Sequence, residues 1–514
     1  MQFLLLFWLR TFEINGPDMC YRAPLFYTFC FCLFIIRPAL AGQRDHDRID
    51  FLPGVWPMPY FRQYSGYLHG STSNIRLHYW LVEAKVNPKG FPLLLWLNGG
   101  PGCSSMEGIF SENGPYNVLE GIKVAQNFYS WNNFANVLYL EAPAGVGFSY
   151  AVDNNITTDD DFTALNNYHA LLNFLKIYPE YTHRDLFLTG ESYAGVYLPT
   201  LALHIIKSSQ FNLKGIAVGN PLTSYKLNDN SMLYFAKYHG LIGEKVWNDL
   251  LSHCCHSKYY TRCMFTDNHS DKCQRLISYI SENVTFGLNV YNIYDRCGGV
   301  KSMTNEYLMN IYSMSVNNSY PGPLVHSDFG NHFRNNKYVQ KKRELISRIR
   351  EKIGAKLVLP CNDDDLISRY LNMPIVRKAL HVRTDIPENW EVCSDAVHAV
   401  YKRNYVDLSE QYKKIIESKV PILIYNGDID MVCNFIGDEW FVDDLQLKPH
   451  DHRQSWIYLS EGAKNLVGGY WKSFAKNNVN FTFATVRGAG HMVPRDRPDA
   501  MYHLIYSFVK NLPL

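Results

Sequence analysis

Six apolar runs of strand length in this chain each stop at a turn built on glycine. Pro92 to Leu97 ends at Asn98-Gly99-Gly100-Pro101-Gly102, and Ala135 to Leu140 ends at Pro143-Ala144-Gly145. Asp185 to Leu188 leads into Gly190, and Gly215 to Val218 into Gly219-Asn220-Pro221. Pro421 to Tyr425 leads into Gly427-Asp428, and Asn480 to Val486 into Gly488-Ala489-Gly490. Leu77 to Ala84 reads as one more strand ahead of them. Runs that are apolar at consecutive positions belong to strands buried on both faces. With helical segments between them they require a mostly parallel sheet with helices on both faces, an α/β fold. Ligands of such sheets bind beyond the carboxyl ends of the strands, and the polar residues that matter below follow those ends.

Of the 514 residues 47% are hydrophobic and 19% charged, enough for a sizeable core and unlike a disordered chain. The net charge of +2 supplies no field for nucleic acid or an anionic membrane. Twelve cysteines point instead to an oxidising compartment. An export leader fits: Arg22 is its positive end, Leu25 to Ile36 its apolar run, and Ala39-Leu40-Ala41 its small-x-small cleavage site. Cleavage after Ala41 leaves Gly42 as the mature start. Translation from Met19 would make residues 1–18 an extension. Five N-x-[ST] sequons, at Asn155, Asn268, Asn283, Asn317 and Asn480, agree with export and with a glycoprotein. No later apolar run is long enough to span a bilayer, so the mature chain is expected to be soluble and lumenal or secreted.

Residues 222–361 differ from their flanks. They are rich in cysteines and sequons and read as an irregular, disulfide-pinned cap inserted in the core. The organisation expected is a leader over 1–41, core over 42–221, cap over 222–361, and the rest of the core over 362–514. Within the cap, 334–356 is strongly basic, either a solvated helix or an exposed protease-sensitive segment with Lys341-Lys342-Arg343 as its cut site.

The sharpest local motif is Gly190-Glu191-Ser192-Tyr193-Ala194-Gly195, entered by a strand and left by a helical pattern. A serine on such a turn is a nucleophile elbow, although Ala194 stands where the common G-x-S-x-G pattern has glycine. A serine hydroxyl needs a base. His491 and Asp430 each follow a buried strand and its turn, in the chain order Ser, Asp, His of the α/β-hydrolase fold. Ser192 is the expected nucleophile, His491 the base, and Asp430 the residue that orients it. Asp428 is a rival acid that order alone does not eliminate. The amide of Tyr193 and one from the 98–102 loop are the expected oxyanion donors. Cys254 and Cys255 with His253 and His256 imitate a zinc cluster, but export favours disulfides, and no metal or cofactor is implied.

Longer stretches then name a family. Trp96-Leu-Asn-Gly-Gly-Pro-Gly-Cys-Ser-Ser105, the elbow, Glu141-Ala-Pro-Ala-Gly-Val-Gly-Phe-Ser-Tyr150 and Gly488-Ala-Gly-His-Met-Val-Pro494 resemble the serine carboxypeptidases, over about residues 52–512. Phe61 to Tyr67 and Asn426 to Val442 resemble a lysosomal member. The resemblance implies Asp430 as the acid and Gly100 with Tyr193 as the oxyanion hole. It implies that Asn98, Gly99 and Glu191 grip the substrate's terminal carboxylate, with Glu191 protonated, which favours peptide cleavage in acid. It pairs Cys103 with Cys393, Cys254 with Cys273, Cys255 with Cys263, and Cys297 with Cys361. Cys433 is left as a free thiol near the site, sensitive to mercurials by obstruction. Excision within about 334–356 is the maturation it implies. Glu107 stands where the lysosomal member has Asp, close to the carboxylate-binding loop. The expected activity is removal of single C-terminal residues, preferably hydrophobic, through an acyl-enzyme at acidic pH. The expected partners are peptides with a free C-terminus, a second copy in a homodimer, and other lysosomal hydrolases. The rival readings are acyl transfer on the same triad and a non-catalytic protective role for other lysosomal hydrolases.

Overall fold

The computed structural model describes residues 42–514 except 122, 256–261, 286–287, 296–364, 387–388, 450–451, 461, 463 and 477–478. The leader, Cys297, Asn317, Cys361 and the basic segment lie outside the described residues. The chain divides into two units, 1–47 and 48–514. The first contributes a helical stretch at 42–46, and everything below belongs to the second.

Among the described residues the strands are β1 (Gln63–His69), β2 (Ile75–Val82), β3 (Leu93–Leu97), β4 (Tyr116–Leu119), β5 (Lys123–Gln126), β6 (Asn136–Leu140) and β7 (Tyr150–Ala151). They continue with β8 (Asp185–Glu191), β9 (Asn212–Gly219), β10 (Ile422–Gly427), β11 (Lys448–Pro449), β12 (Gln454–Ser460), β13 (Lys464–Lys476) and β14 (Val479–Val486). Twelve of them form one sheet in the order β1-β2-β6-β3-β8-β9-β10-β14-β13-β11, with β7 on β2 and β12 on β13. The centre, β6-β3-β8-β9-β10-β14, is parallel throughout. Both edges are antiparallel. The six glycine-terminated runs are these six central strands. Every residue of β3, β6 and β10 is buried, as consecutive apolar positions require. The edge strand β12 alternates instead: Trp456 and Tyr458 point into the core while Ile457 and Leu459 are exposed.

Helices cover the sheet. Asp160–Ile177 is capped by Asp159, whose carboxylate accepts from Phe162 N at 2.8 Å. It packs on Ala194–Ser208, which lies against β8 and β9. Pro498–Lys510 sends Phe508 against Phe187 of β8, with ring centroids 5.9 Å apart. Between β9 and residue 295 the described chain is helical, over Tyr225–Tyr238, Glu244–Cys254 and Asp271–Asn283. Disulfides Cys254–Cys273 and Cys255–Cys263 cross-link this region. Tyr234 holds it together through ring contacts with Trp247, Phe265 and Trp440.

Candidate active site

Ser192, Asp430 and His491 lie beyond the carboxyl ends of β8, β10 and β14, three strands within four adjacent positions of the sheet. Ser192 has φ +61°, a left-handed conformation costing an L-residue about 1–2 kcal/mol. The surroundings impose it. Ser192 N donates to Gly219 O at 2.9 Å, and Ser192 O accepts from Leu222 N at 3.0 Å. The elbow is thereby tied to the turn after β9. Ala194 is fully buried at the first helical position, where alanine fits without strain.

His491 Nδ1 lies 2.7 Å from Asp430 Oδ2, both side chains buried. Donation from Nδ1 leaves Nε2 as the nitrogen available for base chemistry. Asp430 also accepts from Asn220 Nδ2 at 2.8 Å, Val432 N at 2.8 Å and Cys433 N at 3.2 Å. Such donors fix the carboxylate in one orientation. Asp428 is excluded from this role by geometry. Its Oδ1 accepts from Gly488 N at 2.6 Å and braces the turn that carries His491. The segment before residue 295 latches onto the same loops. Tyr291 O accepts from His491 N at 2.7 Å, and its ring meets the imidazole edge-on at 5.0 Å. Met431 N donates to Val290 O at 2.9 Å.

The loop after β3 closes on the elbow. A Cβ on Gly99 would stand 2.4 Å from Tyr193 N and 2.7 Å from Ser192 Cβ, so only glycine permits this approach. Gly100 turns the chain with φ +111°. The amides of Gly100 and Tyr193 donate to no backbone carbonyl among the described residues. Two such donors beside one serine are what a developing oxyanion requires.

Beside them is a cluster of buried carboxyls. Asn98 Nδ2 donates to Glu112 Oε1 and Glu191 Oε1, 3.0 Å in each case. Trp96 Nε1 fixes the amide by donating to Asn98 Oδ1 at 2.7 Å. Neither Glu112 Oε2 nor Glu191 Oε2 meets a donor among the described residues. Burial pushes both carboxyls up. Glu191 rises well above the usual range, because the charge of Glu112, and further off that of Glu107, adds to its desolvation. A hydrogen bond between the two raises Glu191 and lowers Glu112. The pair therefore favours one proton held between two carboxyls.

The family model described as serine carboxypeptidase matches residues 53–511. This chain belongs to that family. It is 44% identical over 473 residues to the lysosomal protective protein of Mus musculus, covering 91% of this chain and 94% of that protein. It is 36% identical over 494 residues to serine carboxypeptidase ctsa-4.1 of Caenorhabditis elegans, covering 94% and 95%. Its fold is similar to that of Kex1(delta)p, a prohormone-processing carboxypeptidase of Saccharomyces cerevisiae. The TM-score is 0.66 at 22% identity, over 91% of this chain and 96% of that one.

In this carboxypeptidase Cys103–Cys393 is a disulfide joining the glycine loop to a segment 290 residues away. Cys433 carries no disulfide, is buried three residues after Asp430, and has its thiol pushed well up by burial and the neighbouring Asp430 carboxylate. The sequons divide by exposure. Asn155 and Asn480 are exposed. Asn268 is buried, and its Nδ2 donates to His253 O at 3.0 Å and Cys254 O at 3.2 Å. Asn283 ends a helix. Sequence reasoning missed Glu112 and Asn220. Glu112 belongs to no motif, whereas Asn220 was visible as the middle of a glycine turn after a buried strand, the same signal that marks the triad.

Proposed function

We propose that this carboxypeptidase enters the secretory route and removes single C-terminal residues, preferably hydrophobic, from peptides in an acidic lysosomal compartment. The observation that carries the reading is the Glu112–Asn98–Glu191 cluster one residue before Ser192. An acidic group kept protonated beside an amide donor is suited to hold a carboxylate, and an ordinary endopeptidase has no need of one. Asn98, Gly99 and Glu191 take the substrate's terminal carboxylate, with Glu112 sharing the proton of Glu191. The Tyr291 ring beside His491 offers an apolar wall to neighbouring side chains. Likeness to lysosomal protective protein and the disulfides support the compartment.

Ser192 Oγ attacks the last peptide carbonyl carbon while His491 Nε2 takes its proton. The oxyanion is held by Gly100 N and Tyr193 N, and the imidazolium by Asp430. Collapse breaks the C–N bond, His491 returns the proton to the departing amine, and an acyl-serine remains. Water, deprotonated by His491, releases the shortened peptide and restores Ser192. Residues 222–361 are read as a cap over these strand ends, with maturation by cutting within about 334–356. The test is benzyloxycarbonyl-Phe-Leu at pH 5, beside its C-terminal amide and the Ser192→Ala variant. Leucine release from the acid-ended peptide alone, abolished in Ser192→Ala, is the expected result. Equal cleavage of both peptides would refute the carboxylate grip. No release, even after nicking of the basic segment, would refute peptidase activity and point to acyl transfer.

A further inference from the structure

We infer that Asp160 is a positioning residue for the oxyanion hole, and that residues 392–405 form a strut joining the hole's two halves. This rests on the reading of Gly100 and Tyr193 as the oxyanion donors. The strut begins at the glycine loop. Ser104 N donates to Val392 O at 2.7 Å, Cys103 is bonded to Cys393, and Ser394 N donates to Gly102 O at 2.9 Å. His398 Nδ1 lies 3.1 Å from Pro101 O, the carbonyl next to Gly100. A carbonyl only accepts, so Nδ1 carries the hydrogen, and Nε2 is left to accept from Arg403 Nη2 at 3.3 Å. Arg403 then reaches the other half, its guanidinium 5.9 Å from the Tyr193 ring centroid.

Asp160 closes the far end. It is fully buried in the first turn of its helix. Its Oδ1 accepts from Tyr193 OH at 2.8 Å and Tyr401 OH at 2.9 Å. Its Oδ2 accepts from Asn404 N at 2.6 Å and Tyr405 N at 3.2 Å. One carboxylate thus fastens the side chain of the residue whose amide faces the oxyanion to the end of the strut that began at Gly102. Four donors offset part of the cost of burying a carboxylate here, and burial still raises the group above its usual value; four are more than a helix N-terminus needs for its own capping, already supplied by Asp159. An oxyanion donor works only when preset within a few tenths of an ångström, and a backbone amide is aimed by what holds its own side chain.

The experiment measures steady-state kinetics on benzyloxycarbonyl-Phe-Leu and the affinity for benzyloxycarbonyl-Phe-phenylalaninal, whose adduct with Ser192 places an oxyanion in the hole. The variants are Asp160→Asn, Tyr193→Phe and the double. Asn keeps the size but cannot accept from all four donors. Expected for each single variant is a kcat loss of about 10- to 100-fold, below the full loss of a donor. KM should stay within about twofold and aldehyde affinity should fall in parallel with kcat. The double variant should be no worse than the poorer single, because both cut one link. Tyr401→Phe is the milder version should Asp160→Asn fail to fold, and should give a smaller loss of the same kind. Unchanged kcat, or kcat and KM moving together with additive effects, would overturn the inference. If the wild-type enzyme binds the aldehyde no better than the corresponding alcohol, the oxyanion reading itself fails, independently of Asp160.

Discussion

Replacing Glu112 by Gln tests the carboxyl pair directly. Glu112 Oε1 and Glu191 Oε1 each lie 3.0 Å from the same amide nitrogen, so they are separated by at most about 6 Å. At an effective dielectric constant near 20, two charges at that distance repel by about 3 kcal/mol. The charge of Glu112 is thus a large part of what raises Glu191, on top of burial. The raised Glu191 is protonated below its folded pKa and loses the proton as pH rises through it. Grip on a substrate carboxylate follows the same course, present in acid and lost on the alkaline side. In Glu112→Gln the repulsion is gone, so the alkaline limb of kcat/KM for acid-ended peptides should move toward acid. The assay is kcat/KM for benzyloxycarbonyl-Phe-Leu from pH 4 to 8, beside an N-blocked amino-acid ester that lacks the free carboxylate. The ester profile should not move. An alkaline limb that stays in place or moves upward would refute the shared-proton argument. An equal shift with the ester would transfer the effect to His491.

Asp438 offers a second pH test. Burial lifts its carboxyl to about 8, although Thr223 and Asn426 both donate to it. A folded pKa raised above the unfolded one gives stability that is full in acid and lost as pH rises toward 8. Thermal midpoints should therefore fall between pH 4.5 and 8, and Asp438→Asn should flatten that slope; an unchanged slope would refute the assignment. Removing the Cys103–Cys393 bridge by a Cys103→Ser/Cys393→Ser double substitution should cost about 2–5 kcal/mol, read by denaturant melting, with kcat falling further than stability predicts because the bridge starts the strut. Peptide mapping of protein made in glycosylating cells should find sugar at Asn155 and Asn480 and none at Asn268, and a glycan at Asn268 would contradict its buried amide. Cys433 should react with mercurials slowly and with iodoacetamide not at all in the native enzyme, since burial keeps it a neutral thiol.

How much of this was legible from residues follows from the range over which each contact acts. The central strands were legible because burial on both faces writes a continuous apolar run, and β3, β6 and β10 are buried end to end. The antiparallel edge at β12 and β13 was not read, because both strands are half exposed and β13 carries glycines at 468 and 469, where Trp456 crosses close over the chain. Ser192, Asp430 and His491 were legible because each follows a strand end, so chain order alone brings them to one edge of the sheet. The choice between Asp428 and Asp430 was not legible from order. It depends on which oxygen meets Gly488 N and which meets His491, a difference of two residues within one turn. Glu112 and Asp160 lie further from any signal. Each is an acidic residue in a local stretch that looks soluble, and each is buried by groups that come from elsewhere: Asn98 and Glu191 for one, Tyr193 and residues 401–405 for the other. A buried carboxyl has no sequence signature because its partners arrive only after the sheet has formed. The groups that tune and aim the candidate site are therefore less legible than the residues proposed to perform its chemistry. Ser192, Asp430 and His491 are placed by strand ends, whereas Glu112 and Asp160 are recruited from helical segments off the sheet.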